Sequence, residues 1–227
     1  MAKEFLIPAE DHARISEAVA EAELKSDGEI STMVARRSDD YADWILFLAG
    51  LIPLLSLATI LLLPEAFERW VVFLTGNWHP ELTRVELLLS VLIVQSLSFG
   101  LGWALLRWTL LGIWLTPRSI KIRRVRREAV RAFRIGIESR TRAATGVLIY
   151  LSLAEHRAEL VADEAINGKV HDADWGEAMA RLTSDVRDGR PGDGIVGAVE
   201  MVGTLLATHF PRSHDDRNEM PDRLIEL

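Results

Sequence analysis

Two stretches without a charged side chain constrain what this 227-residue chain can fold into. The first runs from Trp44 to Leu63. The second runs from Leu87 to Leu106 and continues past Arg107 to Leu115. A bilayer core is about 30 Å thick and a helix rises about 1.5 Å per residue, so about 20 apolar residues cross it. Both stretches reach that length, and neither has the polar face that a helix of a soluble core keeps toward water. The expectation is a transmembrane helical hairpin, preferred over a buried helix pair in a soluble domain. Pro53 is placed to kink the first helix, and Gly100 and Gly102 with Ser96 and Ser98 allow close helix contact. The absence of acidic residues from both spans argues against a proton relay.

The flanking charge gives a sidedness. Arg36 and Arg37 precede the first run, and Arg107, Arg118, Lys121, Arg123, Arg124, Arg126 and Arg127 follow the second, while residues 64–86 hold only Arg69 and Arg84. Basic flanks are retained in the cytoplasm, so both termini are expected there, in the bacterial inner membrane, with the short connection outside. Trp44, Trp70, Trp78, Trp103, Trp108 and Trp114 lie in or beside this region, where indole rings favour the headgroup level. Arg107, close to a span end, reads as an interfacial anchor. Residues 1–10 lack the basic and apolar regions of a signal peptide, so the first run is expected to act as its own insertion signal. The chain carries a net charge of -7 and no cysteine, which leaves no disulfides and no thiolate metal sites.

Outside the hairpin the pattern is mixed. Residues 8–24 read as a helix with Ile15, Ala18, Val19 and Ala22 on one stripe, and Asp27-Gly28 as a turn. Residues 29–35 alternate like a strand with one well-buried face. A helix is expected over 126–142, with Val130, Phe133 and Ile137 on one side and arginines on the others. Residues 145–153 read as a strand buried on both faces, and 158–162 as its antiparallel partner. Two helices follow, one carrying Trp175, Met179, Leu182 and Val186, the next Ile195, Val199, Val202 and Leu206. Neither flank of the hairpin has a core of its own. The expected organisation is therefore one split cytoplasmic domain, residues 1–43 and 117–210, around a membrane hairpin at 44–116, with a polar tail at 211–227 that is mobile or laid along a surface.

The run Thr145-Gly146-Val147-Leu148-Ile149-Tyr150-Leu151-Ser152-Leu153, followed by 157–166 and the helix at Trp175, resembles the TPM domain. So do the first helix and the strand Glu29-Ile30-Ser31-Thr32-Met33-Val34, the helix before the Gly-Val-Leu strand, and the turn Arg190-Pro191-Gly192-Asp193-Gly194. The resemblance implies a compact α/β domain with a mixed sheet between helices. It implies membrane association, with roles in repair or assembly of membrane complexes in some members and phosphatase activity or bound calcium in others. The hairpin interrupting the domain and its cytoplasmic placement depart from that pattern.

The residues themselves carry no P-loop, no Gly-x-Ser-x-Gly elbow and no His-Glu-x-x-His. Asp39 and Asp40 follow the first strand, Asp163 and Glu164 end the last, and Asp172 and Asp174 open a helix. If Asp39, Asp40, Asp163 and Asp172 converged, their oxygens would suit calcium or magnesium, and a metal-dependent phosphatase would be the alternative function. Helix caps and solvated turns are the favoured reading of the same residues. The basic residues Arg118, Lys121, Arg123, Arg124, Arg126 and Arg127 are expected first to fix topology and second to meet anionic lipid headgroups. Nucleic acid is not expected, for want of aromatic stacking platforms. The reading that follows is a membrane-anchored, non-catalytic interaction or assembly protein whose partners are the bilayer and another membrane protein or a second copy. A pore built from hairpins ranks below both.

Overall fold

The computed structural model describes residues 6–76, 82–136, 145–170, 172–213 and 222–227. In chain order its elements are α1 (Ala9–Glu23), β1 (Glu29–Ala35), α2 (Ala42–Leu62), α3 (Pro64–Thr75), α4 (Arg84–Trp108), α5 (Leu111–Trp114) and α6 (Arg118–Gly136). They continue with β2 (Gly146–Ser152), β3 (Arg157–Ala162), α7 (Glu164–Asn167), α8 (Asp172–Arg187), α9 (Pro191–His209) and β4 (Ile225–Glu226). Two units result: Met1–Asp39 with Pro117–Leu227, and Asp40–Thr116.

The first unit is built on a mixed sheet in the order β3-β2-β1-β4. β1 and β2 run parallel, from Glu29 beside Gly146 to Ala35 beside Ser152. A parallel pair needs a crossover, and α6 lies within it. β3 returns antiparallel, placing Ala162 beside Val147 and Arg157 beside Ser152. On one face Ile30, Val34, Val147, Ile149 and Leu151 meet Ile15 and Val19 of α1, Leu182 of α8, and Ile195, Val199 and Val202 of α9. On the other, Met33, Ala35, Leu148, Tyr150 and Val161 meet Val125, Ala129 and Phe133 of α6. Burying each large aliphatic side chain contributes roughly 1.5–3 kcal/mol, so both faces hold the sheet in register. All seven residues of β1 are buried, where the alternation suggested one buried face.

Further differences from the sequence pattern have local causes. α6 starts at Arg118, because Val125 joins Ala129 and Phe133 at helical spacing and extends the apolar stripe forward. Residues 137–142 and the Ile137 contact fall outside the described residues, as does Trp78. The tail also gains structure. β4 pairs parallel to the free edge of β1, Ile225 beside Met33. Leu227 donates from its amide to the Val34 carbonyl, and Arg36 donates to the Leu227 carbonyl.

In the second unit α2 and α4 pack on each other through Gly102, where a side chain would collide with Ile52. The Gln95 amide donates to Ser56 Oγ at 3.5 Å across the same contact. α4 opens with a capping box in which Thr83 and Glu86 exchange hydrogen bonds. The second apolar run breaks after Trp108, and α5 is a separate turn of helix. The connection contains a helix of its own, α3, started by Pro64 and stopped by Gly76 in the left-handed region. α2 and α4 are each long and apolar enough to cross a membrane, and only 11% and 6% of their most apolar windows is buried.

Candidate functional site

Ligand crevices in α/β sheets form outside the carboxyl ends of the parallel strands. Here that edge lies past Ala35 and Ser152 and is filled by a polar network. The chain after β1 is tied to the β2–β3 turn: Leu153 and Ala154 donate their amides to the Ala35 and Arg36 carbonyls, both at 3.0 Å. Glu155, buried in the turn, accepts the Ser38 amide on both oxygens, at 3.2 and 3.4 Å, and the hydroxyl of the fully buried Ser152. Tyr150 Oη and Ser38 Oγ lie 3.1 Å apart. The turn closes through His156, whose backbone is left-handed at φ 48.

α6 brings cations to this edge. Arg124 Nη1 donates to Asp39 Oδ1 at 2.8 Å and Arg127 Nη2 to Asp39 Oδ2 at 3.1 Å, so one carboxylate bridges two guanidiniums. Lys121 lies near enough to Glu155 and Arg157 to feel both. Burial lowers its pKa below the usual lysine value, Glu155 opposes that shift and Arg157 adds to it. Burial likewise raises Tyr150, which the Ser38 contact partly offsets. On the neighbouring strand burial raises Glu159, against the pull of Arg126 and Arg157. The arrangement neutralises charge in place: each buried acceptor receives donors from a different segment. Chemically it can hold the loop, the turn and α6 as one body.

Of the four expected metal-ligand candidates, Asp39 and Asp163 lie at opposite ends of the sheet. Asp39 is at the carboxyl end of β1. Asp163 ends the antiparallel β3 and so lies at the opposite end of the sheet, where its Oδ2 accepts the Gly146 amide at 2.8 Å. Seven residues of strand, about 23 Å, separate the two ends. Asp40 belongs to the second unit, where it accepts the Ala42 amide at 3.2 Å and faces Arg107 at 3.9 Å. The Asp172 side chain falls outside the described residues. Among the described residues no three His, Cys, Asp or Glu side chains come together to hold a metal ion.

The six basic candidates divide. Arg118, Arg123, Arg126 and Arg127 are exposed along α6, whereas Lys121 and Arg124 turn toward the network, Arg124 with 13% of its side chain accessible. Glu155 was not among the sequence candidates. A glutamate in a turn carries no periodic signal, and only the hairpin pairing places it against Ser38.

The fold and its edge thus define a three-layer α/β domain, helix over sheet over helices, with the apolar unit inserted between β1 and α6. Residues 116–205 match the family model for the TPM domain. The chain is also similar to the BA42 protein from the psychrophilic bacterium Bizionia argentinensis, known from an NMR structure: 18% identity, all of both chains covered, TM-score 0.56, a likeness of fold. No curated protein matches the chain.

Proposed function

We propose that this chain is a membrane-anchored interaction and assembly module of the bacterial inner membrane. Its TPM domain stands at the cytoplasmic face, held by a two-span hairpin inserted into the domain itself. The observation that carries this reading is the pairing of two facts. Segments on both sides of the insertion build one folded unit. The inserted helices leave nearly all of their apolar surface uncovered. Two crossings return a chain to the side it left, so both flanks can fold together; a single crossing would part them. Lipid is the solvent that suits such helices, because their backbone groups are satisfied internally and their side chains are apolar. The polar edge is a set of closed ion pairs and hydrogen bonds, which suits a rigid docking body, and the occupant would be another membrane protein or a second copy.

The test uses the absence of native cysteine. Single substitutions Arg84→Cys and Glu200→Cys are treated with a membrane-impermeant maleimide in intact spheroplasts. The expected result is labelling at position 84 without lysis and at position 200 only after lysis. The reverse pattern would overturn the sidedness, and release of the chain by alkaline carbonate would overturn the anchoring. Crosslinking in native membranes before extraction then identifies the partner.

A further inference from the structure

We infer that the outer face of α6 is a docking surface for an anionic bilayer, laying the TPM domain down on the membrane that anchors it. Arg123, Arg127, Arg131 and Arg134 are all exposed and recur at spacings of four, four and three residues, which puts them on one side of a helix. The stripe is about 16 Å long at 1.5 Å per residue. Ile122, Val130 and Ile135 are interleaved with it and, with the four arginines and Arg126, line a shallow open groove of about 640 Å³. Ile135 is 70% exposed and Ile122 38%, so the groove presents apolar surface to solvent between the arginines. The opposite side of the same helix is closed against the sheet through Val125, Ala129 and Phe133. The outer face takes no part in that core, and of its four arginines Arg127 also ties α6 to Asp39.

Charge on this face is only partly answered from within. Arg127 meets Asp39, Arg126 meets Glu159 at 3.5 Å and Arg131 meets Glu128 at 3.7 Å. Arg123 and Arg134 have no acidic partner among the described residues. In a chain whose net charge is -7, a concentrated basic face asks for an anion from outside. Arginines alternating with exposed isoleucines suit an interface that is anionic at the headgroups and apolar just beneath. The choice of lipid over nucleic acid or an acidic protein follows from chain continuity. α6 begins two residues after the apolar unit ends at Thr116, so a bilayer holding that unit presents its headgroups to α6 at very high local concentration. The inference rests on the anchoring proposed above and adds the lipid class and the face that reads it.

The experiment uses the full chain reconstituted in vesicles of phosphatidylcholine alone or with a minor fraction of phosphatidylglycerol. A polarity-sensitive thiol dye is placed through Ile135→Cys, and through Glu200→Cys on α9, in the opposite layer of the domain, as control. Phosphatidylglycerol is expected to blue-shift the dye at 135 and expose it to a lipid-borne quencher, leaving the dye at 200 unchanged, with reversal at high salt. Each arginine near an acidic surface is worth about fivefold in the docked-to-undocked ratio, so Arg123→Gln with Arg134→Gln should lower it about 25-fold. Among the described residues these two side chains make no ion pair whose loss would disturb the fold, and Arg123→Lys with Arg134→Lys should keep docking. Equal signals in neutral and acidic vesicles overturn the inference while leaving the anchoring intact. A response to added RNA or an acidic peptide in place of lipid also overturns it. Loss of the chain from the vesicles after an alkaline wash overturns the anchoring and this inference together.

Discussion

Glu226 joins the two ends of the described chain, and its removal has a local cost that can be worked out. Its Oε1 accepts the amides of Leu6 and Ile7 at 3.0 and 3.1 Å and lies 3.0 Å from His12 Nε2. The carboxylate is 5% exposed and Ile7 is 1% exposed, so these bonds are shielded from water. A hydrogen bond to a charged acceptor contributes about 1.5–3 kcal/mol, and a buried donor left alone costs about 1–3 kcal/mol. Leu6 is only partly buried and can recover water, so Glu226→Ala should cost about 2–4 kcal/mol in local opening. That corresponds to exchange faster by about 30- to 900-fold at the Leu6, Ile7, Arg36 and Leu227 amides, the last two being the bonds that hold β4 on β1. Hydrogen exchange read by NMR in a membrane mimetic checks this, with the β2 amides as internal reference. Glu226→Gln keeps an acceptor oxygen and should lose only about half of that protection on a logarithmic scale. The reasoning fails if Leu6 and Ile7 change less than about threefold, or if β2 loses protection equally, which would make the effect global.

Two further perturbations probe the packing and the polar edge. A side chain at Gly203 would place its Cβ 2.6 Å from the Ala22 Cβ, so Gly203→Val should separate α1 from α9 and lower stability by about 2–4 kcal/mol in urea unfolding; an unchanged midpoint would show that the helices part freely. Lys121 should react with an amine-acylating reagent at a lower pH than an exposed lysine, because burial lowers its pKa. The sign for stability follows: between the lowered value and 10.5 the unfolded chain binds more protons, so stability rises with pH in that window. A reactivity profile matching that of exposed lysines would refute it.

The sequence was most legible where burial is simple. The two uncharged runs, the Val147–Leu151 strand and the Leu182 and Val199 stripes are long and apolar, and each became the expected kind of element. β1 was half-read because alternation matches only one face to a core, that of Ile30, Thr32 and Val34 or its opposite, yet Ser31 and Ala35 on one face and Thr32 on the other are all buried, at 1%, 2% and 2%. Periodicity reports polarity and cannot see a second layer of helices. Asp39 and Asp163 part for a reason available from topology. An antiparallel hairpin places the end of its second strand beside the start of its first, so Asp163 had to fall at the edge away from Asp39. β4 was out of reach, since a two-residue strand has no period to detect and owes its place to Glu226 and the vacant edge of β1.

The split in the unit also dictates an order of assembly. Ile15 and Val19 of α1 are covered by α9, and among the described residues β1 is paired with β2 and β4, all of which lie after residue 145. A ribosome releases α1 and β1 first, then the apolar helices, and the partners last. An isolated piece of about 40 residues rarely sustains a core, so the first flank has nothing to fold against until the second appears. A chain stopped after Thr116 should therefore leave Arg14 and Lys25 open to trypsin, whereas the full chain in the same membranes protects them. Expressing residues 117–227 as a separate chain should restore part of that protection, because the two flanks recognise each other through one shared core. Protection of Arg14 in the stopped chain would show that the first flank folds alone, and the single-core account of the unit would have to be given up.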